Sequence, residues 1–182
     1  MHPTCTSMLT FSTDEWNLDF SISDDHDRIL YVVSSSGVLP TRTAVEAHRP
    51  DGNTEMLSII TWNGSGSDKI WLGGSEINAE ELLRKRRFSS SRVFIGPDNH
   101  TYKWKIQTPS LWLKRTDTSN ELARYHERNR GITSPAHPPR LQISSELLAH
   151  MLDYIVVTFI YVQMLSLRAR RRQRNRAWMR WT

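Results

Sequence analysis

The C-terminal third of the chain constrains the fold more than any other segment. From Leu147 to Leu165 the sequence is almost continuously apolar, and an arginine-rich tail begins at Arg168. A helix that is apolar on every side is not stable on the surface of a soluble domain, so it either spans a bilayer or is surrounded by protein. The choice between these two environments decides the architecture.

The apolar segment is a poor match to a membrane span, which needs about 20 predominantly apolar residues. Tyr154–Val162 is the stretch that lacks strongly polar side chains, and Thr158 interrupts it. A helix of about nine residues reaches roughly 14 Å, about half of the hydrocarbon thickness. Asp153 would cost about 3 kcal/mol inside a membrane. We therefore predict a buried central helix over about 146–167 and no transmembrane span, with a C-terminal tail anchor as the alternative.

The charge of the chain is concentrated in its tail. The 182 residues carry a formal net charge of +5. Residues 168–182 contain seven arginines and no acidic residue, which leaves 17 basic and 19 acidic residues elsewhere. Met1–Thr10 has neither the basic nor the apolar segment of a secretory signal, and the single cysteine, Cys5, cannot form an internal disulfide. These features predict a cytoplasmic protein, with a nuclear location as the alternative.

Short strands and turns precede the helix. Trp16–Ile22 alternates apolar and polar residues, and Arg28–Ser34 is rich in β-branched residues, which predicts a strand buried on both faces. Further segments of β character are separated by turn signals; they are 42–49, 55–62, 70–72, 92–95, 101–107, 110–115, 121–128 and 140–144. Asn78 is expected to cap a short helix over Ala79–Arg87. Roughly nine or ten short strands at this spacing are typical of all-β sandwiches and barrels.

Together these patterns predict a mainly β fold: a single antiparallel β-barrel that encloses the hydrophobic C-terminal helix, plus one short helix. A barrel with this many strands has a lumen that strand side chains alone do not fill. At 1.5 Å per residue, Leu147–Leu165 spans roughly 28 Å, which matches the height of a barrel. The predicted organisation is a flexible N-terminus over 1–10, a barrel domain over 11–167 and an arginine-rich tail over 168–182.

Two motifs carry a family resemblance. The first is Ser91–Asp98 followed by Tyr102–Lys105, and the second is Leu152–Val162 followed by an arginine-rich end. Over roughly Leu9 to Arg172 the chain resembles a fungal (basidiomycete-type) family of uncharacterised domains of unknown function. That family is similar in design to the tubby C-terminal, phospholipid scramblase and LURP-one-related domains, which wrap a β-barrel around a hydrophobic C-terminal helix. The resemblance implies this barrel and, through the tubby-type domains, phosphoinositide recognition.

No catalytic, cofactor or metal site is expected from the residues. The seven histidines are scattered, without a pair at the spacing of a zinc site, and Asp24–Asp27 lacks the glycine and distal glutamate of a calcium loop. Gly64–Gly66 is not followed by the Lys and Ser or Thr of a P-loop. Cys5 lies in a terminus that is expected to fray, and for Asp153 a structural hydrogen bond is favoured over catalysis. We therefore expect a non-enzymatic binding or scaffold domain without a cofactor.

Basic residues supply the candidate binding surface. A cluster of four ends the predicted short helix, where cations complement the helix dipole, so a solvated helix end is the structural alternative. Including the cations of the following strands, the candidate anion- or lipid-binding residues are Arg84, Lys85, Arg86, Arg87, Arg92, Lys103 and Lys105, with Lys114 and Arg115 beside them. On one shared outer face they would attract anionic lipid headgroups by about 1 kcal/mol per residue. Ser89, which follows Arg86-Arg87-Phe88, is a candidate phosphorylation site whose phosphate would weaken anion binding.

The tail, Arg168–Thr182, leaves several interpretations open. Its arginines, with Trp178 and Trp181, suit a membrane surface. They equally suit nucleic acid, with arginine on the backbone and tryptophan stacked on bases. A disordered extension is the default. We expect an anionic membrane surface or another protein as the partner, and nucleic acid through the tail alone; a protein-interaction module without a lipid role is the alternative function.

Overall fold

The fold is mainly β, with a long C-terminal helix. The computed structural model describes residues 6–16, 19–36, 41–87, 89–107, 110–118, 120–131, 135–147 and 149–178. The strands in these residues are β1 (Thr6–Phe11), β2 (Phe20–Ser23), β3 (Ile29–Ser36), β4 (Arg42–His48), β5 (Thr54–Thr61), β6 (Lys69–Leu72), β7 (Ser75–Asn78), β8 (Arg84–Lys85), β9 (Arg92–Ile95), β10 (Thr101–Gln107), β11 (Ser110–Arg115), β12 (Glu121–His126) and β13 (Arg140–Ser144). The helices are α1 (Ala79–Leu82) and α2 (Leu152–Trp178), and a 3-10 turn (Ala149–Met151) leads into α2.

All the strands belong to one antiparallel sheet. Neighbours in sequence are neighbours in space, and β1 also pairs with β13, so the order runs β7-β6-β5-β4-β3-β2-β1-β13-β12-β11-β10-β9-β8. The mainly β antiparallel fold with a C-terminal helix is therefore confirmed. A closed barrel is not, because β7 and β8 are the two edges of the sheet and share no ladder. The short helix α1 lies between these edges in the chain, so the sheet has a seam at this point.

The sheet curves around α2. Every residue from Ile155 to Met164 is buried, and the Phe159 ring lies 5.2–5.7 Å from four other aromatic rings, measured between centroids; these belong to Phe11, Trp16, Trp104 and Tyr125. Thr158, the polar residue at the centre of the helix, accepts a hydrogen bond from the Trp104 indole and donates one to the Ile155 carbonyl, both at 3.1 Å. The core of the protein therefore lies between the inner face of the sheet and all sides of this helix segment.

By length and composition alone, α2 could cross a membrane. Its stretch Leu152–Arg174 has a mean hydropathy of 1.3 over the most apolar window, and 61% of that window is buried inside the structure. A core helix of a soluble protein has the same two properties. The helix also continues to Trp178 rather than ending near residue 167, so the arginine-rich segment is helical to that point, and residues 179–182 lie outside the described part of the chain.

Two predicted features near the N-terminus need correction. The segment predicted to be flexible contributes β1 from Thr6 onward, while residues 1–5 are outside the described chain. The strand predicted over Trp16–Ile22 is shorter, since β2 begins at Phe20; Trp16 is buried in the preceding turn against Phe11. A bulky aromatic side chain can fill the core from a turn as well as from a strand, so alternation alone did not locate the start of the strand.

The short helix and β3 also differ from expectation. Helix α1 ends at Leu82 rather than Arg87, and Arg84–Lys85 pairs instead with Arg92–Val93. Asn78 makes no side-chain cap hydrogen bond. Strand β3 was expected to be buried on both faces, but its buried side chains, Tyr31 and Val33, lie on one face. The reason is that α2 covers one side of the sheet, so the other side of each strand faces outward.

Candidate binding surface

The strand register divides the basic residues between the two faces of the sheet. Residues that are directly opposite each other on neighbouring antiparallel strands point to the same face. Trp104 is fully buried against α2 and pairs with Arg92, so both lie in an inner row. Lys103 pairs with Val93 on one side and Lys114 on the other, so these three form an outer row. Consecutive residues on a strand therefore have opposite environments.

Two adjacent outer rows bring cations and one tryptophan together. Arg84 extends the first row because it pairs with Val93. In the second row Lys105 pairs with Trp112, and Trp112 pairs with Arg124. We call this surface the basic face; its members are Arg84, Lys103, Lys105, Trp112, Lys114 and Arg124. The face covers strands β8 to β12 on the side of the sheet away from α2.

The charges of the basic face are only partly neutralised. Arg124 donates two hydrogen bonds to Glu121, at 2.6 and 2.7 Å, and this pairing lowers the pKa of Glu121. Within the described chain, Arg84, Lys103, Lys105 and Lys114 form no ion pair shorter than 4 Å. The half-buried Trp112 ring lies between cations, with the Lys105 Nζ 5.4 Å and the Arg124 guanidinium carbon 6.0 Å from its centroid. Glu121 also lies opposite Lys114 in the register, so the surface carries one acidic side chain at its β12 edge, is cationic overall and has an aromatic side chain at its centre.

Three of the predicted basic residues lie on the other face. Lys85 is opposite Arg92 in an inner row near the seam, and Arg115 is opposite the buried Tyr102. Arg92 is half-buried near Tyr161 and Glu80, and burial lowers the pKa of Arg92. The Arg115 side chain is occupied by Asp117, at 2.7 Å. The predicted residues do not form one patch, because the period of two separates neighbours that are close in sequence.

The predicted phosphorylation site lies in a turn between β8 and β9. The backbone of Arg86 donates to the carbonyl of Ser91 at 3.4 Å, and both Arg86 and Arg87 are exposed. Ser89 is half-buried, and its hydroxyl donates to the Ser91 hydroxyl at 2.9 Å. Next to it, the Ser90 hydroxyl donates to the carbonyl of Ile106 at 2.7 Å. The turn is thereby attached to β10, the strand that carries Lys103 and Lys105.

A cleft of about 360 Å³ lies at the seam of the sheet. Both edges line it, through Ile77 of β7 and Arg84 of β8; the remaining apolar lining is Leu82, Val93, Phe94 and Ile95. Its position next to Val93 places it against the first row of the basic face. Sequence reasoning missed this cleft, because its walls come from separate elements and β7 has no local pattern beyond a single isoleucine.

The buried-carboxylate candidate, Asp153, is part of a polar cluster at the start of α2. It accepts hydrogen bonds from the Tyr31 hydroxyl at 2.8 Å and from Arg49 at 2.7 and 3.1 Å. Burial, followed by the charge of Asp153, raises the pKa of Tyr31. The cluster joins the helix to strand β3 and to the end of β4, and its groups satisfy each other. In the part of the chain that the structure describes, no group of three His, Cys, Asp or Glu side chains is placed to hold a metal ion.

Comparison with known proteins identifies a family. A model for a family of unknown function, DUF6593, matches residues 13–168. No curated protein matches the chain. Among solved structures, an Arabidopsis thaliana protein determined by X-ray crystallography is similar with a TM-score of 0.49 and 11% sequence identity, over 91% of this chain and 93% of that one. The family match covers most of the curved sheet and the buried part of α2.

Proposed function

Because the chain belongs to DUF6593, a family of unknown function, we propose its role from its own surface: it is a non-enzymatic module that binds anionic membrane lipids through the basic face. The proposal includes the tubby-like design, a barrel around a hydrophobic helix, in a fungal cytoplasmic protein. One antiparallel sheet that curves around a C-terminal helix supports this design. The lipid proposal depends mainly on a separate observation, the basic face itself, on which Arg84, Lys103, Lys105 and Lys114 form no ion pair with the described residues.

The composition of the basic face suits a membrane surface. Tryptophan is enriched where the headgroups meet the hydrocarbon, because its ring is apolar and its indole N–H is polar. Lys105 and Arg124 flank the Trp112 ring, so the cations would reach phosphates at the same depth. Each cation near an anionic leaflet contributes about 1 kcal/mol, and salt screens this attraction. Arg84, Lys103, Lys105 and Lys114 would together supply about 4 kcal/mol.

Vesicle flotation of the full chain tests the proposal. Wild-type protein should float with vesicles that contain phosphoinositide and remain at the bottom with phosphatidylcholine vesicles. Lys103→Gln/Lys114→Gln removes two cations from one row, which should weaken partitioning roughly thirtyfold. The control with the same loss of formal charge is Arg42→Gln/Lys69→Gln, because these two exposed cations lie in one register row with Thr61 on the other half of the sheet; Lys69 there pairs with Glu76 at 2.6 Å. Equal loss in both double variants would contradict a defined basic face.

The arginine-rich end of α2 needs its own variant. Truncation is unsuitable, because Arg168 stacks on Trp62 at 4.1 Å and Arg170 pairs with Glu127 at 2.8 Å. Arg171, Arg172 and Arg174 are exposed, so Arg171→Gln/Arg172→Gln/Arg174→Gln removes charge without these contacts. If this variant alone loses vesicle binding, the basic face is not the site. If it instead loses binding to a short single-stranded oligonucleotide, the nucleic-acid alternative is favoured.

Phosphorylation of Ser89 is proposed as a negative regulator of this binding. The turn that carries Ser89 is tied to β10 through the Ser90 hydroxyl, and a phosphate adds about −1.5 to −2 charges. Ser89→Glu should therefore weaken vesicle binding, while Ser89→Ala should leave it unchanged. Equal binding by the two variants would remove Ser89 from the proposal.

A further inference from the structure

The cleft at the seam is an apolar site beside a cationic surface. Five of its lining residues are apolar, and Ile95 is 59% exposed, which is unusual for a large hydrophobic side chain on a strand. Its volume of about 360 Å³ falls within the range of roughly 300–1,000 Å³ for small-molecule sites. Apolar surface that is exposed to water in such a cleft is unfavourable, and an apolar group that covers it would lower the free energy.

The edges of the seam disfavour a peptide as the occupant. A peptide strand binds a sheet edge through a run of backbone hydrogen bonds. Here one edge, β7, has four residues and the other, β8, has two. So short an edge gives few ladder hydrogen bonds, and short edges are a means by which proteins avoid strand addition. The side chains of the cleft therefore dominate its recognition properties, and these are mainly aliphatic.

The charge pattern around the cleft specifies an anionic head on the apolar ligand. Arg84 lines the cleft and pairs with Val93, whose other partner is Lys103. Because neighbouring strands are about 4.8 Å apart, Lys103 lies roughly 5 Å beyond Val93 and Lys114 roughly 10 Å beyond it along the same row. Glu81 also lines the cleft, but it accepts a hydrogen bond from the Asn78 amide at 2.9 Å on the β7 side. The cationic side of the cleft is thus the side that continues into the basic face.

We propose that the seam cleft binds one acyl chain of the anionic membrane lipid whose headgroup lies on Arg84, Lys103 and Lys114. This inference rests on the proposed lipid-binding function and adds to it a specific site. The protein would then hold a single lipid with the chain drawn out of the bilayer toward Val93 and Ile95. Headgroup and chain would contribute to affinity separately, which makes the two contributions measurable apart from each other.

Calorimetry with two soluble probes tests the inference on the full chain. The first probe is dihexanoyl phosphatidylinositol 4,5-bisphosphate, which carries short acyl chains, and the second is its isolated headgroup, inositol 1,4,5-trisphosphate. Burial of about two methylene groups corresponds to a tenfold gain in affinity. The dihexanoyl lipid should therefore bind at least tenfold more tightly than the headgroup.

Variants of the cleft and of the basic face test where the higher affinity for the dihexanoyl lipid arises. Ile95→Asp places a charge on the exposed rim of the cleft and should abolish the difference between the two probes, whereas Ile29→Asp, at a strand isoleucine that is 49% exposed elsewhere, should not. Val93→Trp fills the cleft without a charge and should have the same effect as Ile95→Asp. Lys103→Gln/Lys114→Gln should weaken both probes together.

The outcomes separate the two proposals. If both probes bind equally to the wild type, the acyl-chain site is wrong while the headgroup surface stands. If neither probe binds, the lipid function itself is wrong and the inference falls with it. A gain that Ile29→Asp abolishes as strongly as Ile95→Asp would also overturn the site, because it would then reflect general stability.

Discussion

The two ends of the buried part of α2 are attached to the sheet in different ways. At the start of the helix, both oxygens of the Asp153 carboxylate accept hydrogen bonds, Oδ1 from Tyr31 and Arg49 and Oδ2 from Arg49. At the other end, the Oε1 of Gln163 and the Oγ of Ser166 are buried with no hydrogen-bond partner among the described residues. Arg170 binds Glu127 through Nη1 at 2.8 Å, yet its Nε and Nη2 are buried without a partner there.

This difference indicates which end fixes the position of the helix. A hydrogen bond to a charged group contributes roughly 1.5–3 kcal/mol, whereas a buried polar atom without a partner costs about 1–3 kcal/mol. The Asp153 end therefore sets the rotation and height of α2 in the sheet. The other end combines packing with fewer polar contacts: Trp62 stacks on Tyr161, with centroids 5.3 Å apart, and contacts Arg168. The Tyr161 hydroxyl donates to Asp68 at 3.3 Å, and Arg170 pairs with Glu127, but several buried polar atoms there have no partner among the described residues. We expect the helix to loosen first from its C-terminal side.

The largest loss of stability is expected from substitutions of Phe159, at the centre of the buried part of α2. Phe159 has no exposed surface and contacts four aromatic rings. Phe159→Asp should abolish soluble folded protein, because it buries an unpaired charge. Phe159→Ala should lower the free energy of unfolding by about 4 kcal/mol, and Phe159→Leu by about 1 kcal/mol, in urea denaturation. Normal soluble expression of Phe159→Asp would contradict a buried central helix.

Alkaline pH should destabilise the contacts of α2 with the sheet at both ends of its buried part. Burial raises the pKa of Tyr31 at one end and of Tyr161 at the other, and raises that of Tyr102 to about 12. A tyrosine whose folded pKa exceeds its unfolded value of about 10 stabilises the fold below pH 10, and that contribution is lost as pH rises further. Unfolding free energy should therefore fall steadily from pH 10 to 12. Tyrosinate absorbance at 295 nm should appear together with unfolding; its appearance at pH 10 in folded protein would show that these rings are accessible.

Removal of the Asp153 carboxylate should destabilise the protein more than removal of the charge of an exposed carboxylate nearby. Asp153→Ala leaves the Arg49 guanidinium and the Tyr31 hydroxyl without their acceptor. We expect a loss of about 2 kcal/mol in urea denaturation, less than for a fully buried pair because Asp153 and Arg49 keep 28% and 33% of their side-chain surface. The control is Glu55→Gln, which alters the other carboxylate on Arg49, itself 60% exposed, and should cost less than about 0.5 kcal/mol. Equal losses would mean that Asp153 is no special anchor.

Local patterns were sufficient to predict much of this structure. The strands over 92–95, 101–107, 110–115 and 140–144 begin and end where the sequence places them, because each combines alternation with strong turn signals. The buried helix was predictable because no surface environment accommodates Ile155–Val162. In these segments the local preference and the tertiary environment agree, so the elements could be predicted from the sequence alone.

The remaining features depend on partners that are remote in sequence. Whether Lys85 or Arg84 faces outward is decided by the register of β8 on β9, and a shift of one residue would exchange them. The seam depends on the absence of a ladder between β7 and β8, which no local pattern encodes. Gln163 is 2% exposed, and its Oε1 has no hydrogen-bond partner among the described residues, although the residue type alone favours an exposed or paired position. In each case the outcome follows from three-dimensional pairing rather than composition.

The smallest expected effect is an increase in stability, and it concerns the C-terminal end of the buried part of α2. Gln163→Leu replaces the buried Oε1 with an apolar group of similar size, which should raise the free energy of unfolding by about 1 kcal/mol. Thr158→Val is the matched control, since Thr158 lies on the same helix but accepts the Trp104 indole; it should lower the free energy by about 1 kcal/mol.

Urea denaturation of the two variants gives the comparison. Opposite signs would establish that a polar group helps α2 where it is paired and weakens it where it is not. A loss on Gln163→Leu as large as that on Thr158→Val would mean that Gln163 is satisfied in solution. The two ends of the helix would then be anchored equally, and hydrogen exchange should show them opening at the same rate rather than from the C-terminal side.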